Sequence, residues 1–241
     1  MKWFAAPARV WVRRAAIALL VSVLVLQLWF FSWIVFWKWH NPGQTAFMQR
    51  ELERLERQAP ASAMRPGRSL QRVWVDYTHI SANLKRAVVT SEDARFVSHE
   101  GVDWEAMQKA YSENLRRGRT LRGGSTISQQ LAKNLFLTAR RSYLRKAQEL
   151  VIALMIETIW DKRRILEVYL NVVEWGDGVF GAEAAARHYF GISSLSLDTN
   201  QAARLAAMLP SPRFFDHHRD AAYLSQRTEA IERVLPSAQI P

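Results

Sequence analysis

The sequence predicts a mostly α-helical protein with one membrane-spanning helix near the amino terminus and one helical domain after it. Two features support this fold class: the segment 15–37 contains no charged residue, and apolar residues recur at helical spacing after residue 77. The chain of 241 residues is long enough to bury a core without crosslinks. Its Cys count of 0 excludes disulfides, thiolate catalysis and Cys-ligated zinc or iron–sulfur sites.

The segment 15–37 is predicted to cross the membrane. As a helix rising about 1.5 Å per residue it would span roughly 34 Å, close to the hydrocarbon core of about 30 Å. A helix buried in a soluble domain is seldom apolar on every face over this length. A cleaved signal peptide has a shorter apolar region that ends in small residues, whereas this segment ends in Trp33, Phe36 and Trp37. We therefore expect the anchor to be retained.

The distribution of positive charge predicts the orientation of this anchor. Basic residues cluster before it, at Lys2, Arg9, Arg13 and Arg14. After it, Lys38 is the only basic residue before Arg50. The positive-inside rule then places residues 1–14 in the cytoplasm and the domain on the outer, periplasmic side of a bacterial inner membrane.

The chain carries 33 Lys and Arg residues against 22 Asp and Glu residues, a formal net charge of +11. Such an excess implies an anionic partner: nucleic acid, an acidic membrane surface or a phosphorylated substrate. An outward-facing domain does not meet chromosomal DNA, and no helix-turn-helix, zinc-finger or ribonucleoprotein motif is present. We therefore predict no nucleic acid as a partner but lipid phosphate, wall polymer or lipid-linked precursors, and we keep DNA binding as a remote alternative, since Arg-rich patches can bind nucleic acid without such a motif.

Residues 38–72 are predicted to form a juxtamembrane stalk and linker. A turn at 41–43 precedes a charged amphipathic helix, 48–58, for which a solvated stalk is a sufficient explanation. Pro60 and Pro66 mark the linker. The alternating apolar residues of 73–77 predict a strand.

Capping residues predict where the helices of the domain begin and end. Thr126 with Gln129 and Asp198 with Gln201 have the spacing of capping boxes. The helix 144–160 is the most apolar one after the anchor, and we expect it to be the central buried helix. Further boundary signals are Asp161 before 162–171, glycines before 182–190, Gly191 after that helix, and Pro210 and Pro212 after the last core helix.

Two carboxylates are candidates for chemistry. Glu149 is predicted to share a helical face with Arg145 and Lys146, at the point where a polar cleft would meet the apolar core. A plain salt bridge on the helix surface has the same spacing. Glu92 is predicted to share a helical face with Phe96 and His99, and His99 is interpreted as a structural hydrogen-bonding residue. No second His stands at metal-ligand spacing, so we predict no metal site.

A glycine pair precedes the helix 127–136 and exposes backbone N–H groups at its amino terminus, where the helix dipole favours an anion. The segment lacks the P-loop pattern. Cations flank it on both sides: Arg116, Arg117, Arg119 and Arg122 before it, and Lys133, Arg140 and Arg141 after it.

Together these segments resemble the ordered motifs of glycosyltransferase family 51, the peptidoglycan glycosyltransferases. The motifs are Glu92-Asp93-x-x-Phe96-x-x-His99-x-Gly101, Gly123-Gly124-Ser125-Thr126-Ile127-x-Gln129-Gln130-Leu131-x-Lys133-Asn134, Arg145-Lys146-x-x-Glu149 and Lys162-x-x-Ile165-Leu166-Glu167-x-Tyr169-Leu170-Asn171. Ser128 stands where the family usually has Thr. The resemblance covers about 73–215, which we predict as the catalytic domain, with 216–241 as a carboxyl-terminal extension. Because no transpeptidase domain follows, a monofunctional member is expected.

The resemblance implies a lysozyme-like helical domain with a small membrane-proximal lobe. It also implies an activity: polymerisation of lipid II, a disaccharide-pentapeptide on undecaprenyl diphosphate, into glycan strands by inverting single displacement. Glu92 would be the general base and Glu149 the second catalytic carboxylate. Substrate contacts are expected from Lys133, Arg141, Arg145, Lys146, Gln129, Gln130, Ser125 and Asn171, although the two Gln residues and Asn171 could equally hold the motifs together. Glu167 is expected to be structural.

Two other functions are compatible with parts of the pattern. A lysozyme-like enzyme would cleave glycan with one acidic Glu, but a neutral glycan does not need the cations around Glu149. A non-enzymatic membrane-anchored scaffold would use the basic face to recruit partners, and it leaves the motif spacing unexplained. No cofactor is required by the sequence. Assistance by Mg²⁺ or Mn²⁺, and contacts with other cell-wall synthesis or division proteins, stay open.

Overall fold

The computed structural model of the protein describes residues 8–58, 70–117, 124–137 and 142–241. Helices make up most of these residues, as the sequence predicts. In chain order they are α1 (Ala8–Trp37), α2 (Ala46–Gln58), α3 (Ala82–Glu92), α4 (Trp104–Arg117), α5 (Ile127–Phe136), α6 (Tyr143–Ile159), α7 (Lys162–Val172), α8 (Ala182–Phe190), α9 (Thr199–Met208), α10 (Pro212–His217) and α11 (Ala222–Val234). The strands of the described residues are β1 (Gln71–Arg72), β2 (Glu174–Gly176) and β3 (Val179–Phe180).

Helix α1 is long and apolar enough to cross a membrane. Its segment Arg9–Trp37 has a mean hydropathy of 2.3 in its most apolar window, and 11% of that window is buried inside the protein. A core helix of a soluble domain would be buried over most of its surface. The exposure of α1 therefore fits the predicted membrane anchor.

The outer end of α1 packs onto the domain. Phe30, Ile34 and Trp37 are buried there, and the rings of Phe30 and Trp37 both lie 5.2 Å from the ring of Phe136 on α5. The indole Nε1 of Trp160 donates a hydrogen bond of 2.8 Å to the backbone oxygen of Ile34. The anchor and the domain are thus joined by packing as well as by the chain.

Helix α2 is part of the domain, so the prediction of a solvated stalk over 48–58 was wrong. Met48 and Leu55 are buried, and the helix packs against α5. Glu51 is buried on the same face and pairs with Arg54 and with Arg213 of α10. The charge pattern of the helix suggested solvent exposure, but two of its charges, those of Glu51 and Arg54, are paired inside a tertiary contact.

The central helix is α7, and the expectation that 144–160 would fill this place was wrong. Helix α7 buries seven of its 11 residues, including Tyr169 and Asn171. Helix α6 has 17 residues, of which Glu149, Ile152, Ala153 and Ile156 are buried. Further apolar residues of α6 are exposed, because this helix lies at the edge of the domain beside α1.

The predicted helix boundaries are confirmed where capping chemistry is strong. Both capping boxes form, one between Thr126 and Gln129 and the other between Asp198 and Gln201. Gly191 ends α8 in the left-handed conformation, at φ 70°. These interactions are local, so they can be recognised from residue spacing.

A small sheet of order β1-β3-β2 lies beside the central helix, with β1 parallel and β2 antiparallel to β3. The predicted strand over 73–77 was wrong, because pairing is confined to β1. Val75 instead forms two hydrogen bonds of 2.9 Å with the side-chain amide of Asn171, which replaces a neighbouring strand. Gly181 passes over Asn171 at φ +86°, where a Cβ would lie 2.9 Å from the backbone oxygen of Asn171.

The residues after 215, predicted as an extension, pack onto the domain. Leu224, Thr228 and Ile231 are the buried residues of α11, which packs against α9 and α3. Helix α3 is thereby enclosed by α9 and α11, and its last residue is Glu92. The carboxyl-terminal segment thus supports the helix on which this carboxylate lies.

One buried carboxylate in β2 gives the fold a pH dependence. Glu174 forms an ion pair of 2.7 Å with Arg213, near Glu51 and Asp177. Burial raises the pKa of Glu174 to about 7, while Arg213 lowers it and the two neighbouring carboxylates raise it further. Between the ordinary pKa of about 4.3 and this value, the folded state binds more protons than the unfolded state.

We therefore expect the contribution of Glu174 to the free energy of unfolding to decrease as pH rises through this interval. In detergent, the thermal midpoint of the wild-type protein minus that of Glu174→Gln should decrease from about pH 5 to about pH 7.5, which covers the interval between the two pKa values. Thermal unfolding followed by circular dichroism measures this difference. Glu229→Gln, an exposed position on α11, is the control, and a difference for Glu174→Gln that does not change with pH would contradict the prediction.

Candidate active site

The amino terminus of α5 organises the candidate site. The backbone N–H of Ile127 donates a 3.0 Å hydrogen bond to Oδ2 of Asp93, and Nε2 of His99 lies 2.8 Å from Oδ1 of Asp93. The hydroxyl of Thr126 donates to the backbone oxygen of Gly101 at 2.6 Å. The loop that follows α3 is therefore attached to the first turn of α5.

Glu92, Phe96 and His99 do not share a helical face, so that prediction was wrong. Helix α3 ends at Glu92, and the following residues form turns. The physical reason is the contact of Asp93 with α5, which requires a backbone that leaves the helix. The interpretation of His99 as a structural hydrogen-bonding residue is confirmed by its contact with Asp93.

Glu92 is half-buried and is contacted by one side chain of its own helix and one of α5. Its Oε2 accepts a 2.9 Å hydrogen bond from Nε2 of Gln130, and the hydroxyl of Ser91 lies 3.4 Å from its Oε1. The amide oxygen of Gln130 accepts a 3.0 Å hydrogen bond from the hydroxyl of Tyr169. The carboxylate is therefore held in place while remaining partly open to solvent.

Glu149 lies at the boundary between the apolar core and a group of cations, as predicted. The residue is 3% exposed, with its Oε2 2.7 Å from Nη1 of Arg145 and its Oε1 2.5 Å from Nζ of Lys146. Nζ of Lys146 also donates to the hydroxyl of Ser125 at 3.0 Å. A plain surface salt bridge is excluded, because the carboxylate is almost fully buried.

Lys133 of α5 lies within electrostatic reach of both candidate carboxylates. Burial lowers the pKa of Lys133, and the charge of Glu149 opposes this shift. The charges of Arg145 and Lys146 lower the pKa further, whereas that of Glu92 raises it. Helix α5 therefore brings the Glu92 region and the Glu149 region together around one ammonium group.

Two residues near the site were not predicted from the sequence. Phe47 of α2 lies with its ring 6.0 Å from Nζ of Lys133. Arg227 of α11 donates a 3.1 Å hydrogen bond to the hydroxyl of Ser91, next to Glu92. Both come from segments predicted to lie outside the domain, and their spacing in the sequence gives no signal of proximity.

The contacts of Asn171 and Gln129 favour the second of the two roles expected for them, that of holding the motifs together. Asn171 is 0% exposed and its side-chain amide bonds backbone atoms of Val75 and Glu167. Gln129 is buried, and its side-chain oxygen accepts from the backbone of Thr126 and lies 3.4 Å from Nζ of Lys146. Both residues hold structural elements together. Glu167 is structural as expected, since it accepts from the backbone N–H of Tyr77.

The remaining predicted residues fall into three groups. Lys133, Arg145, Lys146 and Ser125 lie together around Glu149, and Gln130 contacts Glu92. Arg141, Gly123 and the loop 118–123 lie outside the described residues.

In the part of the chain that the structure describes, no group of three or more His, Asp and Glu side chains could hold a metal ion.

Comparison with known proteins identifies the family. A family model described as Transglycosylase matches residues 58–235. A biosynthetic peptidoglycan transglycosylase of Laribacter hongkongensis is 53% identical over 231 residues, covering 96% of this chain and 99% of the relative. Relatives of the same name from Janthinobacterium sp. (strain Marseille) and Bordetella pertussis are 56% and 54% identical, covering 91% and 93% of this chain and 92% of each relative. The family match includes both candidate carboxylates and the cations around them, and the chain belongs to the transglycosylase family.

Proposed function

We propose that this chain is a peptidoglycan glycosyltransferase that polymerises lipid II into glycan strands and releases undecaprenyl diphosphate. The names of its relatives support the reaction class. The main structural support is the pair of carboxylates that α5 brings together. Glu92 is partly open to solvent, and the buried Glu149 is paired with Arg145 and Lys146. Glu92 suits proton abstraction, and the cations around Glu149 suit a diphosphate leaving group.

The chemistry requires a base opposite the leaving group. Converting an α-linked diphosphate sugar into a β linkage inverts the anomeric carbon, so the acceptor hydroxyl attacks it directly. In this step Glu92 accepts the proton from the 4-hydroxyl of the acceptor GlcNAc. The bond from the acceptor oxygen to the anomeric carbon forms as the bond to the diphosphate breaks.

The leaving diphosphate gains negative charge on the bridging oxygen, and nearby cations stabilise it. Arg145 and Lys146 lie in the first turn of α6, where the helix dipole also favours an anion. Lys133 approaches the same region from α5. Glu149 uses both carboxylate oxygens to bind Arg145 and Lys146. We therefore assign to Glu149 the orientation of these cations.

The cations favour synthesis over glycan cleavage. A lysozyme-like hydrolase acts on a neutral polymer, which does not need the group of Lys and Arg side chains around Glu149. A lipid-linked diphosphate provides the missing counter-charge. The substrate is also held at the membrane, where the anchor places the domain.

Helix α1 and apolar residues exposed on the domain support a membrane arrangement for the protein. The amino terminus lies in the cytoplasm and the domain on the outer side of the inner membrane. A membrane-proximal lobe would use the exposed apolar residues on α4 and at the start of α6: Trp104, Tyr111, Leu115, Tyr143 and Leu144. This lobe would let the polyprenyl chain stay in lipid while its diphosphate reaches the cations.

Glu92→Gln should reduce polymerisation of fluorescently labelled lipid II by at least about 100-fold, because the amide cannot accept the proton. Gel separation of the glycan products measures the rate, and circular dichroism checks folding. Glu53→Gln, on the exposed side of α2, should keep the wild-type rate. Retained turnover in Glu92→Gln would remove Glu92 as the base. Digestion of finished peptidoglycan by the wild type would instead favour the hydrolase.

Arg145→Gln should weaken inhibition by a soluble prenyl diphosphate by about 10-fold to 100-fold, the effect of one lost charged hydrogen bond. The rate of lipid II consumption should fall at the same time. Inhibition constants in the polymerisation assay measure the change. The matched control is Arg187→Gln, which removes another i, i+4 Arg–Glu pair outside the site. An unchanged inhibition constant for Arg145→Gln would contradict the leaving-group assignment.

Thiol labelling can test the topology, since the Cys count of the chain is 0. A membrane-impermeant maleimide should label Ser225→Cys, an exposed position on α11, in intact spheroplasts. It should label Ala6→Cys only after the membrane is permeabilised, because the positive-inside rule keeps that end in the cytoplasm. The opposite pattern would reverse the proposed orientation.

A further inference from the structure

A continuous hydrogen-bond chain runs from the core to Glu92. Tyr169 of α7 is 0% exposed, and its hydroxyl donates to Oε1 of Gln130 at 3.0 Å. Nε2 of the same amide donates to Oε2 of Glu92 at 2.9 Å. The three side chains belong to α7, α5 and α3, so their alignment depends on tertiary packing.

The direction of this chain decides which group Gln130 presents to Glu92. A Gln amide has a donor at one end and an acceptor at the other, with nearly the same shape when rotated by half a turn. The hydroxyl proton of Tyr169 satisfies the oxygen and leaves the NH₂ group facing the carboxylate. In the rotated state two acceptors, Oε1 and the carboxylate, would face each other, and the buried hydroxyl proton of Tyr169 would lose its acceptor.

Tyr169 is a permanent donor in this arrangement. Burial raises the pKa of Tyr169 well above its usual range, and the negative charges of Glu92 and Asp93 raise it further. The other charge that acts on Glu92 from a neighbouring helix is that of Lys133 on α5. Arg227 of α11 approaches through the hydroxyl of Ser91. In the part of the chain that the structure describes, the side-chain amide of Gln130 bonds Tyr169 and Glu92 but not Asp93, Lys133 or Arg227, so the hydroxyl of Tyr169 sets its orientation.

We propose that Tyr169 is a positioning residue for glycosyl transfer: it fixes the Gln130 amide so that Nε2 holds the Glu92 carboxylate in the orientation that accepts the proton. This inference rests on the proposed function, in which Glu92 is the general base. Tyr169 is fully buried and does not touch the substrate. Its removal should therefore affect the chemical step and not the binding of lipid II.

Tyr169→Phe removes the hydroxyl and keeps the ring in the core. We expect kcat for lipid II polymerisation to fall about 10-fold to 100-fold, the effect of one hydrogen bond that supports a charged group. KM for lipid II should stay within about twofold of the wild type, because substrate contacts are retained. Tyr77→Phe is the matched control. It removes another buried hydroxyl, which donates to the backbone oxygen of Pro241, and it should keep the wild-type kcat.

A double-variant cycle tests whether Tyr169 acts through Gln130. Gln130→Met, which has a similar shape and no amide, should lower kcat as much as Tyr169→Phe or more. The double variant should then be no slower than Gln130→Met alone, since the hydroxyl has lost its partner. Multiplicative losses, or a wild-type kcat in Tyr169→Phe, would overturn the proposal.

Folding and the parent hypothesis are checked separately. If circular dichroism shows that Tyr169→Phe is unfolded, the test uses Gln130→Met instead, because Gln130 is only half-buried. A lower kcat of Gln130→Met at unchanged KM then supports the proposal. A higher KM at unchanged kcat would make Gln130 a substrate-binding residue and overturn it. Turnover in Glu92→Gln would refute the proposed base. An inactive Glu92→Gln together with a fully active Tyr169→Phe would refute the positioning role alone.

Discussion

The hydrogen bond from the backbone of Ile127 to Asp93 is the contact on which the site depends. It occupies one of the free N–H groups at the start of α5, and the capping box of Thr126 and Gln129 satisfies others. Because Asp93 follows Glu92 directly, this contact fixes the carboxylate against the helix that provides Gln130. A carboxylate at a helix amino terminus is also favoured by the helix dipole, so the contact between Asp93 and α5 is stabilised electrostatically as well as by its hydrogen bond.

The second constraint is the balance of charge around Glu149. A buried carboxylate without partners would be strongly unfavourable, and so would desolvated Arg and Lys side chains. Arg145 and Lys146 pair with Glu149, which keeps the group stable in the absence of substrate. Arg145 and Lys146 are two cations against one carboxylate, and Lys133 adds a third, so the site retains a positive charge toward an incoming diphosphate. Arg145 and Lys146 thus both stabilise the buried Glu149 and attract the diphosphate leaving group.

Attachment of the anchor to α6 gives the membrane helix a structural role. The side-chain amides of Gln27 on α1 and Gln148 on α6 form reciprocal hydrogen bonds of 2.9 and 3.0 Å. Gln148 directly precedes Glu149, so the contact lies one residue from the cation group. Polar pairs between helices in an apolar environment specify register, because a shift would leave both amides unpaired. The orientation of the anchor is in this way coupled to the helix that holds the leaving-group site.

Local interactions explain what the sequence by itself determined: the apolar anchor, the capping boxes of α5 and α9, and the pairing of Glu149 with cations on its own helix. The capping boxes and the Glu149 pairs join residues within four positions of one another, and the anchor is one continuous apolar run, so spacing and composition reveal them. The tertiary structure alone decided that α7 is the central helix, that α2 and α11 belong to the domain, and that Asn171 is buried and supports Val75. It also decided that Tyr169 and Gln130 meet Glu92. These contacts join segments far apart in the chain, and their formation depends on how whole helices bury their apolar faces against one another.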